Sequence, residues 1–174
     1  MRLEGELVAL RAVEPEDVAL MYRWENDPAL WRVSGTLAPF SLHQLSRFVE
    51  EQQFDIQQTR QQRLIILERG SERAVGALDL FEVDFIHRRA GLGILIYEAA
   101  DRGRGYASDG LAVVERYARE VLGLHQLWCT VGVSNAASRR LFAAAGYAEC
   151  GTRREWLRTP EGWEDELLMQ KILE

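Results

Sequence analysis

The chain has 174 residues, 47% of them hydrophobic and 28% charged, and a formal net charge of −6. That length and balance fit one soluble domain with a sizeable core, so a single domain over residues 1–174 is expected. The acidic balance argues against a nucleic-acid partner, which needs a basic stripe, and suits a cationic ligand such as an amine. No run approaches the roughly 18 apolar residues of a membrane span, and no basic-then-apolar signal opens the chain, so a cytoplasmic protein with no membrane partner is expected. Cys129 and Cys150, with the scattered His43, His87 and His125, stand at no metal-ligand spacing. Reduced, mostly buried thiols and no metal site are expected.

In chain order, residues 7–11 read as a first strand. Glu14-Pro15-Glu16-Asp17 then starts a helix, with proline in the first turn and acids at the positive end of the dipole. Asn26-Asp27-Pro28 stops it, and a loop follows to Phe40. Ser41-Leu42-His43-Gln44 is a capping-box pattern, and Leu42, Leu45, Phe48, Val49 and Ile56 continue a helical stripe to about Thr59. Residues 63–69 and 73–83, split by Gly70-Ser71-Glu72, read as a hairpin, and 88–97 adds another strand to make an antiparallel meander.

Next comes Arg102-Gly103-Arg104-Gly105-Tyr106-Ala107, which leads straight into a helix over residues 107–122 with Ala107, Leu111, Val114, Ala118 and Val121 on its sheet-facing stripe. Gly123 ends that helix. Residues 126–133 form a strand, Ser134-Asn135 cap a short helix through Ala145, and Gly146 stops it. A hairpin over 148–158 and 163–172 closes the chain, turning at Thr159-Pro160-Glu161-Gly162.

A strand ending in a glycine-punctuated basic turn that opens into a helix aims several backbone N–H groups and the positive helix end at one spot. That spot suits an anion. A Walker loop needs Gly-Lys-Ser or Gly-Lys-Thr, which is absent, and a dinucleotide fingerprint needs glycine where Ser108 stands. Both also belong at the first strand–helix turn of a parallel sheet, whereas this loop follows a meander in mid-chain.

The chain resembles the GNAT superfamily of acetyl-CoA-dependent N-acetyltransferases. Their pyrophosphate loop reads Arg or Gln, two residues, Gly, one residue, then Gly or Ala, and Arg102, Gly105 and Ala107 fill those places. Val131, Asn135, Ser138, Gly146 and Tyr147 match the strand, Asn and short helix that follow in the superfamily. Within it, residues 81–84 leading to His87-Arg88-Arg89-Ala90, together with Arg154-Glu155 and residues 162–165, are similar to the branch of ribosomal-protein N-terminal and spermidine acetyltransferases. The resemblance implies an α+β fold, with a mixed, mostly antiparallel sheet of six to seven strands flanked by about four helices.

It implies acetyl transfer from acetyl-CoA to a primary amine on a small molecule or a protein N-terminus. Backbone N–H groups of Gly103, Arg104, Gly105, Tyr106 and Ala107 would cradle the pyrophosphate, with added charge from the Arg102 and Arg104 side chains. The main chain of Leu95, Ile96 and Tyr97 would pair with pantetheine, and an N–H near Leu95 or Ile96 would hold the oxyanion. An amine with a pKa near ~10 is protonated at neutral pH, so a base is needed. Glu155 is the first choice on the branch's pattern and Glu82 the second.

Many relatives carry a tyrosine as proton donor where this chain has Phe142; the resemblance implies either that Ser138, one turn earlier, takes that role, with Asn135 orienting it or the cosubstrate, or that the thiolate leaves without a side-chain acid. Trp24, Trp31, Trp156 and Trp163 would line an acceptor cleft or fill the core, and Glu161, Glu164, Asp165 and Glu166 would draw a cationic acceptor. Exposed edge strands suggest a homodimer. The missing tyrosine keeps open a second reading, a catalytically idle acyl-CoA-binding sensor or interaction module.

Overall fold

A computed structural model describes residues 3–52 and 54–174. The chain opens with β1 (Leu3–Glu4) and β2 (Val8–Ala12), then a 3-10 turn, Pro15–Asp17. It continues through α1 (Val18–Glu25), α2 (Pro28–Ser34), α3 (Leu42–Glu51) and α4 (Ile56–Thr59). The meander is β3 (Gln62–Glu68), β4 (Ala74–Asp84) and β5 (Arg89–Ile96), followed by a 3-10 turn, Ala99–Asp101. Then come α5 (Tyr106–Glu120), β6 (Gln126–Gly132), α6 (Ala136–Ala144), β7 (Ala148–Thr159) and β8 (Gly162–Ile172). All strands join one sheet in the order β1-β2-β3-β4-β5-β6-β8-β7, in which β5 and β6 pair in parallel and the other neighbours run antiparallel.

The α+β class and mixed sheet hold, but the sheet has 8 strands and more helices flank it than expected. The extra strand is β1, two residues long and too short for an alternation pattern. The stop at Asn26-Asp27-Pro28 is also a restart. Asp27 accepts from the Ala29 N–H as an N-cap, Pro28 opens α2, and Gly35 closes it in a left-handed conformation. The helix expected to run to Thr59 ends at Glu51 and restarts at Asp55, whose side chain caps Gln57. The Ser41 and Gln44 capping box is formed as read.

Alternation along the central strands sorts the side chains onto two faces. Leu64, Ile66, Leu78, Leu80 and Leu92 meet Leu111 and Val114 of α5 on one face. On the other, Ile65, Leu67, Ala77 and Tyr97 meet Met21 and Trp24 of α1 and Leu45 and Val49 of α3. Each large side chain so buried stabilises the fold by about 1.5–3 kcal/mol. Val121 is an exception to the expected stripe on α5. It lies past the end of the helix and is 60% exposed, while Val113 is buried instead.

Candidate active site

The parallel pair is short. Arg89, Ala90 and Gly91 oppose Gln126, Leu127 and Trp128, and there the register ends. Beyond it β5 stays with β4 as far as Ile96 and β6 stays with β8 as far as Gly132, so the two strands part and leave a wedge between unpaired edges. An open strand edge inside a sheet carries unsatisfied N–H and C=O groups that another extended chain can pair with.

The glycine loop stands just beyond the open end of β5. Gly103 and Gly105 have φ of +74° and +85°, conformations that cost side-chain-bearing residues strain. Gly105 is the N-cap of α5 and makes no side-chain cap bond. Among the described residues nothing accepts from the N–H groups of Gly103 through Ser108, which leaves a row of donors at the positive end of a 15-residue helix. The Asp109 carboxylate fixes this end by accepting from the N–H groups of Glu6, Leu7 and Val8 at 3.1, 2.8 and 2.8 Å.

The arginine side chains do something other than expected. Arg102 turns back onto the strand end, donating Nε to the Ile96 carbonyl at 3.0 Å and Nη2 to the Tyr97 carbonyl at 2.8 Å. Arg104 stacks over Tyr106 and lies within 3.5 Å of Asp101 and Glu68. Arg73 also binds Asp101, and its hydrogen bonds hold that carboxyl below the usual carboxylate range. Tyr106 is buried, with its hydroxyl bonded to Glu68, so only its main chain faces the loop's concave side. A guanidinium engaged by two carbonyls or two carboxylates positions the turn before it meets any ligand.

The strand edge also differs in register from the expectation. Tyr97 donates its N–H to the Val75 carbonyl and accepts from Arg102, and the Leu95 carbonyl points at Gly76 on β4. Alternation then turns the main chain of Ile94, and the N–H of Ile96, toward the wedge. The main chain of Leu95 and the N–H of Tyr97, expected to face the cosubstrate, thus face β4.

On the face away from α5, Asp79 and Phe81 alternate with the core leucines of β4. Asp79 pairs in register with Gly93, which presents no side chain beside the wedge. Phe81 and Trp128 meet edge-on at 5.3 Å across the closed end of the wedge. They wall a cavity of about 980 Å³ shared with Glu82, Arg89, Cys150 and Arg153. Cys129 is buried as expected, whereas Cys150 is exposed on β7.

Glu82 and Glu155 both sit at bulges, with φ of +49° and +48°. A bulge re-aims one side chain out of the strand's alternation. The two are not brought together: Glu82 lines the cavity, while Glu155 lies on the exposed hairpin, its N–H bonded to Asp165. Asn135 caps α6 by accepting from the Ser138 N–H at 3.1 Å, and Ser138 is half-buried. Phe142 packs against Tyr147 in the core, 5.0 Å between ring centroids. Of the tryptophans, Trp24 is core and stacks on Tyr97 at 4.2 Å, Trp31 donates to the Glu25 carbonyl, and Trp156 and Trp163 are exposed on the last hairpin. Glu164 pairs with Arg32 and Glu166 with Arg153.

Asp79, Arg63 and Glu25, which the sequence did not mark, form a cluster under α1. The signal for Asp79 was a lone acid on the outward phase of an apolar strand; Glu25 gave none. Among the described residues no group of three or more His, Cys, Asp or Glu is placed to hold a metal, and no helix is long and apolar enough to cross a membrane.

The acetyltransferase (GNAT) domain family matches residues 8–148. The spermidine N(1)-acetyltransferase of Vibrio cholerae is 28% identical over 90 residues, an alignment spanning 52% of this chain and about half, 51%, of that protein. The spermidine N(1)-acetyltransferase of Escherichia coli K12 is 25% identical over 141 residues, 81% of this chain and 73% of that one. The crystal structure of the Vibrio cholerae spermidine N-acetyltransferase in complex with CoA and spermine shares the fold, with a TM-score of 0.86 at 22% identity over 96% of each chain. This chain therefore belongs to the GNAT acetyltransferase family, whose members move an acetyl group from acetyl-CoA to an amine.

Proposed function

We propose that the protein acetylates a primary amine on a small cationic acceptor, with acetyl-CoA held in the wedge between β5 and β6. The observation that carries this reading is the conjunction of that wedge with the free N–H row of Gly103 through Ser108. The row takes the pyrophosphate, and the open edge at Ile94 and Ile96 takes the amides of the pantetheine arm. A main-chain N–H on the same edge stabilises the oxyanion of the tetrahedral intermediate.

The acceptor nitrogen approaches from the face that carries Asp79, Phe81 and Glu82, opposite α5. Glu82 accepts its proton, directly or through water, because it lines the cavity at the closed end of the wedge. Glu155 is the weaker candidate, since it lies outside that cavity. Ser138, at the first turn of α6, returns a proton to the departing thiolate; with a thiol pKa near ~8.5, water also suffices. Spermidine leads the acceptors to try because two relatives are named for it.

A homodimer joined at β7 belongs to the same reading, since β7 ends the sheet and is exposed along most of its length. Light scattering that gives a monomer mass removes that part. The central test is release of free thiol from acetyl-CoA in the presence of spermidine, glucosamine, kanamycin or a peptide with a free N-terminus. Turnover with at least one amine is expected. Thermal stabilisation by CoA with no turnover on any of them would replace the enzyme reading with that of an idle acyl-CoA-binding module.

A further inference from the structure

Beneath α1 the sheet buries a charged cluster that neither the loop nor the wedge uses. Arg63 donates Nε and Nη2 to the two carboxylate oxygens of Asp79 at 2.9 Å each, and Nη1 to Glu25 Oε1 at 2.5 Å. The Tyr97 hydroxyl donates to the same Oε1 at 3.2 Å. Burial pushes the Tyr97 hydroxyl well above its ordinary pKa, so it stays neutral. Burial opposes the charge on Arg63 too, but Asp79 outweighs it and the guanidinium stays charged. Two carboxylates thus share one cation, and the cluster carries one uncompensated negative charge.

That surplus comes to the surface at one atom. The Glu25 side chain is only 10% exposed, but its second oxygen, Oε2, is not among the buried unpartnered atoms: it reaches solvent and has no protein partner among the described residues. An ion pair needs one acid per guanidinium, not two, so the second carboxylate keeps an oxygen that only water or an incoming cation can serve. A cation arriving at Oε2 would balance both the charge and the hydrogen bonding.

The cluster lies at the rim of the acceptor face. Asp79 stands opposite Gly93, where β5 has left β6, and Tyr97 follows the last residue of β5. Glu25 ends α1, and α2 reaches from there to β8 through Arg32 and Glu164 at 3.3 Å. The helices and the hairpin therefore flank the strip of sheet that carries Asp79 and Gly93.

We propose that Glu25 Oε2 binds an ammonium group of the acceptor other than the one acetylated, so that Glu25 selects acceptors with a second positive charge. This inference rests on the acetyl-transfer reading above. Titration of CoA-loaded protein with spermidine measures it without requiring turnover. Glu25→Gln keeps an oxygen for Tyr97 and Arg63 but removes the charge, and spermidine should bind at least tenfold more weakly while CoA affinity and melting temperature stay near wild type. n-Butylamine, which has one nitrogen, should bind both proteins alike.

Unchanged spermidine affinity in the variant, or no spermidine binding by wild type, overturns the proposal. If the variant does not fold, the wild type decides: 1,4-diaminobutane should bind at least tenfold more tightly than n-butylamine, and equal affinities overturn the proposal. Glu25-dependent binding without acetylation of any amine would keep the cation site and sink the enzyme reading. Turnover of spermidine that is indifferent to Glu25→Gln would do the reverse.

Discussion

The two halves of the proposed site are built from different materials. The donor half is main chain: the N–H row of Gly103 through Ser108, the Ile94 and Ile96 edge, and arginines turned inward to hold the turn. The acceptor half is side chain: Asp79, Arg63, Glu25, Glu82, Phe81 and Trp128, drawn from three strands, a helix and a bulge. Backbone recognition constrains few side chains but demands special φ values. Side-chain recognition makes no such demand, yet it depends on tertiary placement and costs desolvation. The first half is thus sensitive to glycine substitution and the second to loss of a charge partner.

The largest effect expected on breaking this contrast comes from Arg63→Met. It strands Glu25 and Asp79 together under α1, and removing one partner of a buried ionic group costs about 3–5 kcal/mol. Urea unfolding should show a loss of that order. A loss below about 1 kcal/mol would mean that the acceptor half does not depend on its charge pairing. Gly105→Val should come next, acting on the donor half. Its φ of +85° penalises any side chain by about 1–2 kcal/mol, and an added Cβ would sit 3.0 Å from Leu7. CoA affinity measured by calorimetry should fall about tenfold or more. Gly103→Ala sharpens the point: φ is +74° but no atom lies within 4 Å of the new Cβ, so only the strain remains and the loss should be smaller.

The same contrast explains what could be read in the sequence. Glycine spacing is local, so the loop, the helix behind it and the Asn135 cap were legible from residues 102–107 and 134–135. The meander and the last hairpin were equally visible in their alternation and turns. The clamp that Arg102 makes on two carbonyls was not legible, because a phosphate ligand and such a clamp both call for a guanidinium, and only the fold shows which atoms come near. Which main-chain groups of residues 95–97 face the wedge was not legible, because main-chain direction alternates and its phase is set by pairing with β4. Only the branch's pattern ranked Glu155 ahead of Glu82; by themselves both are strand carboxylates. Neither bulge has a sequence signature, and it is the bulges and the neighbouring strands that separate cavity from hairpin. Glu25 and Asp79 lie more than fifty residues apart, and nothing local couples them.

A smaller effect, in the helices that cover the acceptor half, concerns Asp17. Burial alone would raise its pKa, but Arg11, at 2.6 and 2.8 Å, and the Glu14 N–H more than offset this and hold the carboxyl below its ordinary range. A depressed folded pKa contributes stability above the unfolded value and loses it as pH falls through the folded one. Asp17→Asn should therefore melt below wild type from pH 8 to about pH 5, with the gap closing below about pH 4 as wild-type Asp17 protonates. A gap that widens on acidification would mean that Asp17 is not held as the anion.

The smallest effect distinguishes the halves by chemistry rather than stability. Cys129 is 2% exposed and burial pushes its thiol up to about 12, whereas Cys150 is exposed and lines the cavity beside Arg153. The thiolate is the reactive form, so iodoacetamide at pH 8 should label Cys150 and spare Cys129 in the native protein. The carbamidomethyl group then projects into the acceptor side and away from the loop. The KM for the amine should rise severalfold with the KM for acetyl-CoA unchanged, as steady-state kinetics on the labelled protein would show. An equal rise in both would mean that the cavity at Phe81 and Trp128 serves the donor half as well, and the division between a backbone-built and a side-chain-built site would have to be redrawn there.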